Sequence, residues 1–378
     1  MSILIGADFV PTKRNIRLFN SENVVALVGQ ELLKILKGAD YRIFNMEVPL
    51  TDKISPIDKC GPNLIAPTST IKGYKSIGAD FVTLANNHIL DQGEQGLQST
   101  CDLLIKEKIA FCGAGENLKQ AQKPYIVSIN GKRIGIYACA EHEFSIAVNN
   151  LAGANPYDAL ESFEHVKKLK NETDYVIVLY HGGKEHYRYP SPELQRVCRK
   201  FIQCGTDLVV CQHTHCIGCE EKYLDRTIVY GQGNFLFDDS GSEFWKTSLL
   251  IEIDNNFQIS YIPLVKKGNG VRLASKIDSD KIMQEFFERS EEIKNSEVLN
   301  SKYDEFSQKM ISEYLFRISG IQKGFLFRIF NKLTNQNYGK WRLRKKFGKQ
   351  QLLIIRNILE CEAHRELFLR GVIRKENE

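Results

Sequence analysis

Short apolar runs rich in β-branched residues recur through the first two thirds of the chain: ILIGAD, YRIFNMEV, DFVTLANN, RIGIYACA, DYVIVLYH, DLVVCQHTH and RTIVYGQGNF. Consecutive apolar positions in runs of this length predict strands covered on both faces. Between them, residues 24–37, 95–108 and 192–204 place apolar side chains three or four apart, which predicts amphipathic helices. Repeated strand, helix, strand units imply a layered α/β domain. From 246 to 265 the pattern becomes alternating, with SLLIEID and FQISYIPLV separated by Asn255-Asn256, a hairpin signal at a sheet edge. Beyond residue 266 the sequence turns charged and helix-like with no further strand. A boundary is therefore expected within 266–275, giving units 1–268 and 269–378.

The 378 residues are 43% apolar and 26% charged, ordinary for a globule and against wholesale disorder or a coiled-coil array. The formal charge of +5 is small but unevenly spread. Ten cysteines are scattered through the chain without a secretion pattern, which favours reduced thiols used as small core residues. The opening MSILIGADFVPTKRN has neither a basic leader nor a cleavage pattern, and no run approaches the roughly 18 apolar residues of a spanning helix. A cytoplasmic location, with peripheral attachment at the inner membrane surface as a variant, is the expectation.

Polar residues able to hold a cation follow these strands, at the carboxyl ends where open α/β sheets gather ligands. Asp8 follows ILIGA, Glu47 follows IFNM, Asn86, Asn87 and His88 follow FVTLA, His181 follows VIVLY, and His213 and His215 follow LVVCQ. One such residue is ordinarily a satisfied polar side chain; five strands in succession carrying them point to a shared site. Two carboxylates, an asparagine and three histidines suit one or two divalent ions of Mn, Fe or Zn. A pair of such ions about 3.5 to 4 Å apart fits phosphoryl displacement. His213 and His215 sit where a strand gives way to a loop, so both rings can reach one cluster.

Six ordered motifs carry a resemblance over roughly residues 3–240: GAD with Asp8, NMEVPLT with Glu47, LANNHILDQGEQGLQST with Asn87, His88 and Asp91, then HGGKEHYRYPSPELQ, GTDLVVCQHTH and VYGQGNFLFD. In this set the chain resembles the CapA-type (poly-γ-glutamate capsule synthesis) branch of the calcineurin-like metallophosphoesterases. The resemblance implies a layered metallophosphoesterase-like α/β/β/α sandwich, here with a C-terminal helical extension. It implies that Asp8 and His215 hold one metal, that Glu47 bridges two, and that Asn87, His181 and His213 hold the second. His88 matches the family's proton donor or transition-state stabiliser, with Asn86 on the substrate side and Asn234 orienting groups at the rim.

The chain departs from the wider superfamily in its first motif. Asp-x-His is replaced by Asp8-Phe9-Val10, a loss shared by CapA-type proteins that removes one imidazole ligand. Lys13 or Arg14 either supplies positive charge near that position or is a lone surface cation. His181-Gly182-Gly183 stands where His-Trp-Gly is common, and His186 where an aromatic is common, either as pocket wall or as an added phosphate or metal contact. Cys216 and Cys219 form one C-x-x-C, too few ligands for a structural zinc, and read as two reduced thiols.

Between residues 323 and 349 lie nine Lys or Arg and no acidic residue, interleaved with aromatics. Three readings stay open: a helical packing domain with a solvated basic face, a segment lying on an anionic membrane, or a phosphate-gripping surface for nucleic acid. The last ranks lowest, since no recognition motif accompanies it. The expected function is a divalent-metal-dependent phosphoesterase serving capsule or surface-polymer biosynthesis, acting on a phosphorylated or polymeric substrate. The alternative is a non-hydrolytic accessory protein of poly-γ-glutamate or polysaccharide assembly or export, in contact with an envelope synthase.

Overall fold

The computed structural model describes all residues except 22, 238–240, 321–324, 336 and 377–378. Lys323, first cation of the basic stretch, lies outside the described residues. The chain divides into two compact units, Met1–Ser301 and Lys302–Glu378.

Every position of the strand Ile3–Val10 is buried, and it forms the middle of the first sheet. Tyr41–Asn45, Phe81–Thr83 and Ala110–Cys112 continue that sheet in parallel on one side. Thr247–Ile253, Ile259–Lys267 and Gly270–Leu273 extend it antiparallel on the other, and Leu236–Phe237 pairs with the end of Ile3–Val10. The predicted hairpin is the first two of those antiparallel strands, in register Ile253 to Ile259. The second sheet runs Glu220–Tyr223, Arg226–Tyr230, Leu208–Gln212, Tyr175–His181, Lys132–Ala140, Tyr125–Ile129, its four inner strands parallel and its two outer pairings antiparallel.

The sheets pack face to face. Ile43, Phe81 and Ile251 of the first share an apolar interior with Ile136, Ile177 and Val210 of the second. On the outer face of the first sheet, Phe44 and Val82 meet Leu32, Leu36, Leu97 and Leu104 from the helices Gln30–Gly38 and Gly93–Glu107. On the outer face of the second, Val178 and Val209 meet Leu169, Val197 and Phe201 from Ser162–Glu172 and Pro192–Gln203. Helix, sheet, sheet, helix is the α/β/β/α sandwich, and the double covering is why the strands read as unbroken apolar runs.

Two local departures from simple periodicity shape this unit. The pairing of Ile3–Val10 with Tyr41–Asn45 slips between Ile5 and Asp8. Ile3 and Ile5 face the inter-sheet core, yet Phe9 sits with Leu4 on the helix-covered side, where an unbroken period of two would not put it. The irregularity re-aims Asp8, as bulges beside sites commonly do. Gly6 lies inside it, and a Cβ there would fall 2.5 Å from the Phe44 ring. Residues 24–37, expected as one helix, form two, Val24–Val28 and Gln30–Gly38. Gly29 breaks them at φ 77°, and the Arg272 guanidinium takes the freed carbonyls of Ala26 and Leu27 at 2.9 and 3.1 Å.

The change from strand to helix falls between Leu273 and Lys276, but the packed unit runs on. In Lys276–Glu292, Ile282 and Phe286 pack with Ile217 and Leu249. The second unit is helical throughout its described residues, with Phe325–Leu333, Asn337–Lys346, Lys349–Glu360 and Glu362–Glu376 following the long helix that begins at Ser296. Among its described residues, Phe327 and Leu343 are the buried apolar side chains, Phe327 lying against Phe316 and Tyr338. None of the described helices is long and apolar enough to cross a membrane.

Candidate metal centre

Six side chains expected from the sequence converge at the carboxyl ends of strands from both sheets. Ligand atoms of Asp8, Glu47 and His215 lie within 4.8 Å of one another, as do those of Glu47, His181 and His213, and all five residues are buried. Glu47 belongs to both groups. Asn87 joins the second through Oδ1, 3.0 Å from His181 Nε2, which itself stands 3.3 Å from Glu47 Oε1. The Asn87 amide is fixed in that sense because its Nδ2 donates to Glu143 Oε2 at 3.2 Å.

The two histidines of the His-Thr-His segment reach the cluster by unusual backbone. Leu208–Gln212 ends just before them, and His213 and His215 take φ of 88° and 54°. Non-glycine residues at positive φ are uncommon and cost on the order of 1–3 kcal/mol when strained. Here they bring both rings to one side, 6.0 Å apart, with His213 4.9 Å from His181.

Buried polar atoms normally find partners, yet Asp8 Oδ2, both oxygens of Glu47 and Nδ1 of His213 have no hydrogen-bond partner. Burial and the nearby Asp8 carboxylate push Glu47 well above the usual carboxylate range. Burial alone would raise Asp8 too, but the His215 ring, with Nδ1 3.4 Å from Asp8 Oδ2, brings it below its ordinary value. Burial holds His181 down at about 4 and pushes His213 well below its ordinary value, the second helped by its imidazole neighbours. Burial would also lower His215, but Asp8 and Glu47 outweigh it and lift the ring to about 9. The neutral imidazoles of His181 and His213, the His215 ring once its proton is displaced, carboxylate oxygens outside any hydrogen bond and an amide oxygen are a donor set that fits one or two Mn, Fe or Zn ions. The first group offers three such donors, since Val10 occupies the position where the wider superfamily has histidine.

His88 lies beside this cluster, part-exposed, with Nδ1 2.6 Å from Asp91 Oδ2. The other Asp91 oxygen is held by Lys59, whose Nζ also lies 3.3 Å from His88 Nδ1. Asn86 is buried and engaged within the protein, donating to Asn45 Oδ1 and to the Met46 carbonyl and accepting from the His88 amide. Asn234 Oδ1 sits 2.9 Å from His215 Nδ1, and its Nδ2 is buried without a partner. His186, at φ 59°, accepts from Trp245 Nε1 at 2.8 Å and stacks on Phe244. Arg14 and Lys13 are exposed, and among the described residues neither joins the cluster's hydrogen bonds or ion pairs. Cys216 and Cys219 are free and buried, which pushes the first thiol up to about 11.

Several contributors carry no motif of their own. Asn45 Nδ2 donates to Asp8 Oδ1 at 2.7 Å and reaches His181 Nδ1 at 3.3 Å, tying the two sheets together. Lys59 arrives from the long loop after Thr51, and Trp245, from the short helical turn Glu243–Trp245, packs 4.6 Å from His215. For Asn45 a signal existed: it ends a strand two residues before Glu47.

The family profile described as "Bacterial capsule synthesis protein PGA_cap" matches residues 12–239. A capsule biosynthesis protein CapA from Bacillus anthracis is 29% identical over 265 residues, covering 66% of this chain and 64% of that protein. A PGA biosynthesis protein CapA from Bacillus subtilis (strain 168) is 28% identical over 216 residues, covering 56% and 57%. The chain thus spans less than two thirds of the length of these relatives. Among solved structures, one titled a novel phosphatase from Mycoplasma pneumoniae covers 70% of this chain and 93% of its own at 17% identity and TM-score 0.43, a likeness too distant to carry a functional argument.

Proposed function

The chain belongs to the bacterial capsule synthesis protein family PGA_cap, and from that membership and the geometry of its buried donors we propose that it is a divalent-metal-dependent phosphoesterase-type hydrolase of capsule or surface-polymer biosynthesis. The observation that carries this reading is Glu47, a buried carboxyl group with neither oxygen in a hydrogen bond, common to two donor groups. Asp8, Glu47 and His215 would hold one ion, and Glu47, Asn87, His181 and His213 the other. Bound there, the ions supply Lewis acidity toward phosphoryl oxygens and the attacking water.

The chain's own residues do the rest. Asp91 occupies Nδ1 of His88, so Nε2 is the atom left to protonate the departing oxygen, which lowers the cost of expelling an alkoxide. Asn45 and Asn234 orient Asp8, His181 and His215. His186, pinned by Trp245, and the Trp245 ring form the wall on the His215 side.

Metal analysis of the purified chain together with hydrolysis of bis(p-nitrophenyl) phosphate tests the proposal. The expected result is bound Mn, Fe or Zn and turnover that falls about 100-fold in His88→Ala while metal content holds. No bound metal, and no change in metal content on His213→Ala, would overturn it. The three-donor first group favours a second reading, an accessory protein that binds a polymer without cleaving it. Bound metal without turnover of phosphoesters would select that reading.

A further inference from the structure

The metal centre makes no use of the second unit, whose charge and surface ask for their own explanation. Residues 302–378 carry 17 Lys or Arg against 8 Asp or Glu, while the remainder of the chain carries 34 against 38. The small net charge thus conceals a strongly basic unit and a mildly acidic one. From residue 314 to 359 there are eleven Lys or Arg and no Asp or Glu. Lys340, Arg342, Arg344, Lys345 and Lys346 are all exposed on or at the end of one short helix.

Exposed apolar side chains accompany these cations in the same unit. Phe330 and Leu333 on the helix before the basic one, and Leu353, Ile354, Leu367 and Leu369 on the two helices after it, are 48% to 76% exposed. A solvated basic face does not need them, and a polyanion read through its phosphates gives aliphatic side chains nothing to bury against. A second copy of the same unit would bring like charge to like. Exposed apolar side chains flanked in sequence by exposed cations instead match the boundary of an anionic bilayer, where headgroups meet the cations and acyl chains the apolar residues. With no described helix fit to cross a membrane, the segment would lie on the surface.

We propose that residues 325–376 dock on the surface of an anionic lipid bilayer. The inference is independent of the hydrolase reading, because it rests on other residues and predicts binding rather than turnover. The test is co-sedimentation of the full chain with vesicles of phosphatidylglycerol and phosphatidylcholine, compared with phosphatidylcholine alone. The chain is expected to pellet with the anionic vesicles, less so at high salt. Replacing Lys340, Arg342, Arg344, Lys345 and Lys346 by Gln should weaken partitioning at least about tenfold and leave metal content unchanged. Leu333→Ser with Leu353→Ser should weaken it while sparing the salt dependence. If the Gln variant loses helical signal, the salt series on the unaltered chain gives the same reading. Equal pelleting with both vesicle types, no pelleting with either, a lipid-independent dimer, or binding to DNA in place of vesicles would each overturn the proposal.

Discussion

Glu47 Oε1 stands 3.3 Å from His181 Nε2, and the two side chains are delivered by different sheets. Glu47 follows Tyr41–Asn45 in the first, whereas His181 closes Tyr175–His181 in the second. The site therefore exists only when the two sheets are seated on each other, and a cation bound there would stabilise the whole sandwich by mass action.

Glu47→Gln should separate binding from stability. With chelator present, burial and Asp8 keep Glu47 well above the usual carboxylate range, so the isosteric neutral amide should leave stability within about 1 kcal/mol of the parent. Without chelator it should lose both ions and the stabilisation they confer. Urea unfolding with and without EDTA checks both, and a variant that keeps its metal would contradict the shared role of this residue.

The imidazoles predict how the metal-free protein responds to pH. His215 is raised to about 9 from an ordinary 6.5, so its contribution is complete below pH 6.5 and is lost as pH rises through about 9. His181 is held near 4, so its contribution is complete above 6.5 and falls away as pH drops toward about 4. These two groups place the stability maximum between those limits, near 6.5. Metal uptake at pH 7 must displace the His215 proton, so binding should release protons and tighten as pH rises toward about 9. Calorimetry in buffers of different ionisation enthalpy measures the release; uptake without it would show that His215 is not a ligand.

Lys59→Met should damage the protein in two separable ways. Lys59 and Asp91 are an ion pair with side chains 3% and 0% exposed. Removing one partner leaves a buried charge uncompensated, at about 3–5 kcal/mol. Asp91 would also hold His88 less firmly, so turnover should fall further than metal content. Adding Asp91→Asn should recover part of the stability and none of the turnover.

Gly6→Ala should cost about 1–3 kcal/mol, because the new methyl falls 2.5 Å from the Phe44 ring inside the irregularity that turns Asp8 inward. Metal affinity should drop in parallel. Unchanged affinity in a destabilised variant would mean that the strand distortion does not aim Asp8.

The sequence made the inner strands legible because each is sealed on both faces and so is written in consecutive apolar residues, as in DYVIVLYH. The strands Ala110–Cys112, Glu220–Tyr223 and Gly270–Leu273 lie at sheet edges, where short length and partial exposure erase that signal. Helix 24–37 was misread as continuous because the break at Gly29 depends on Arg272, far away in sequence. The candidate donors stand out in the sequence because each lies near or just beyond the carboxyl end of a strand. Lys59 and Trp245 were not, because loops deliver them and no periodicity marks a loop residue for a site.

The left-handed backbone at His213 and His215 bears on any attempt to transplant this centre. Copying six side chains onto the ends of another parallel sheet would leave the last two rings splayed, because an ordinary strand exit does not turn through positive φ twice in three residues. A faithful graft has to carry the whole hook from Gln212 to Cys216, and a library that varies only donor identities would search the wrong variable.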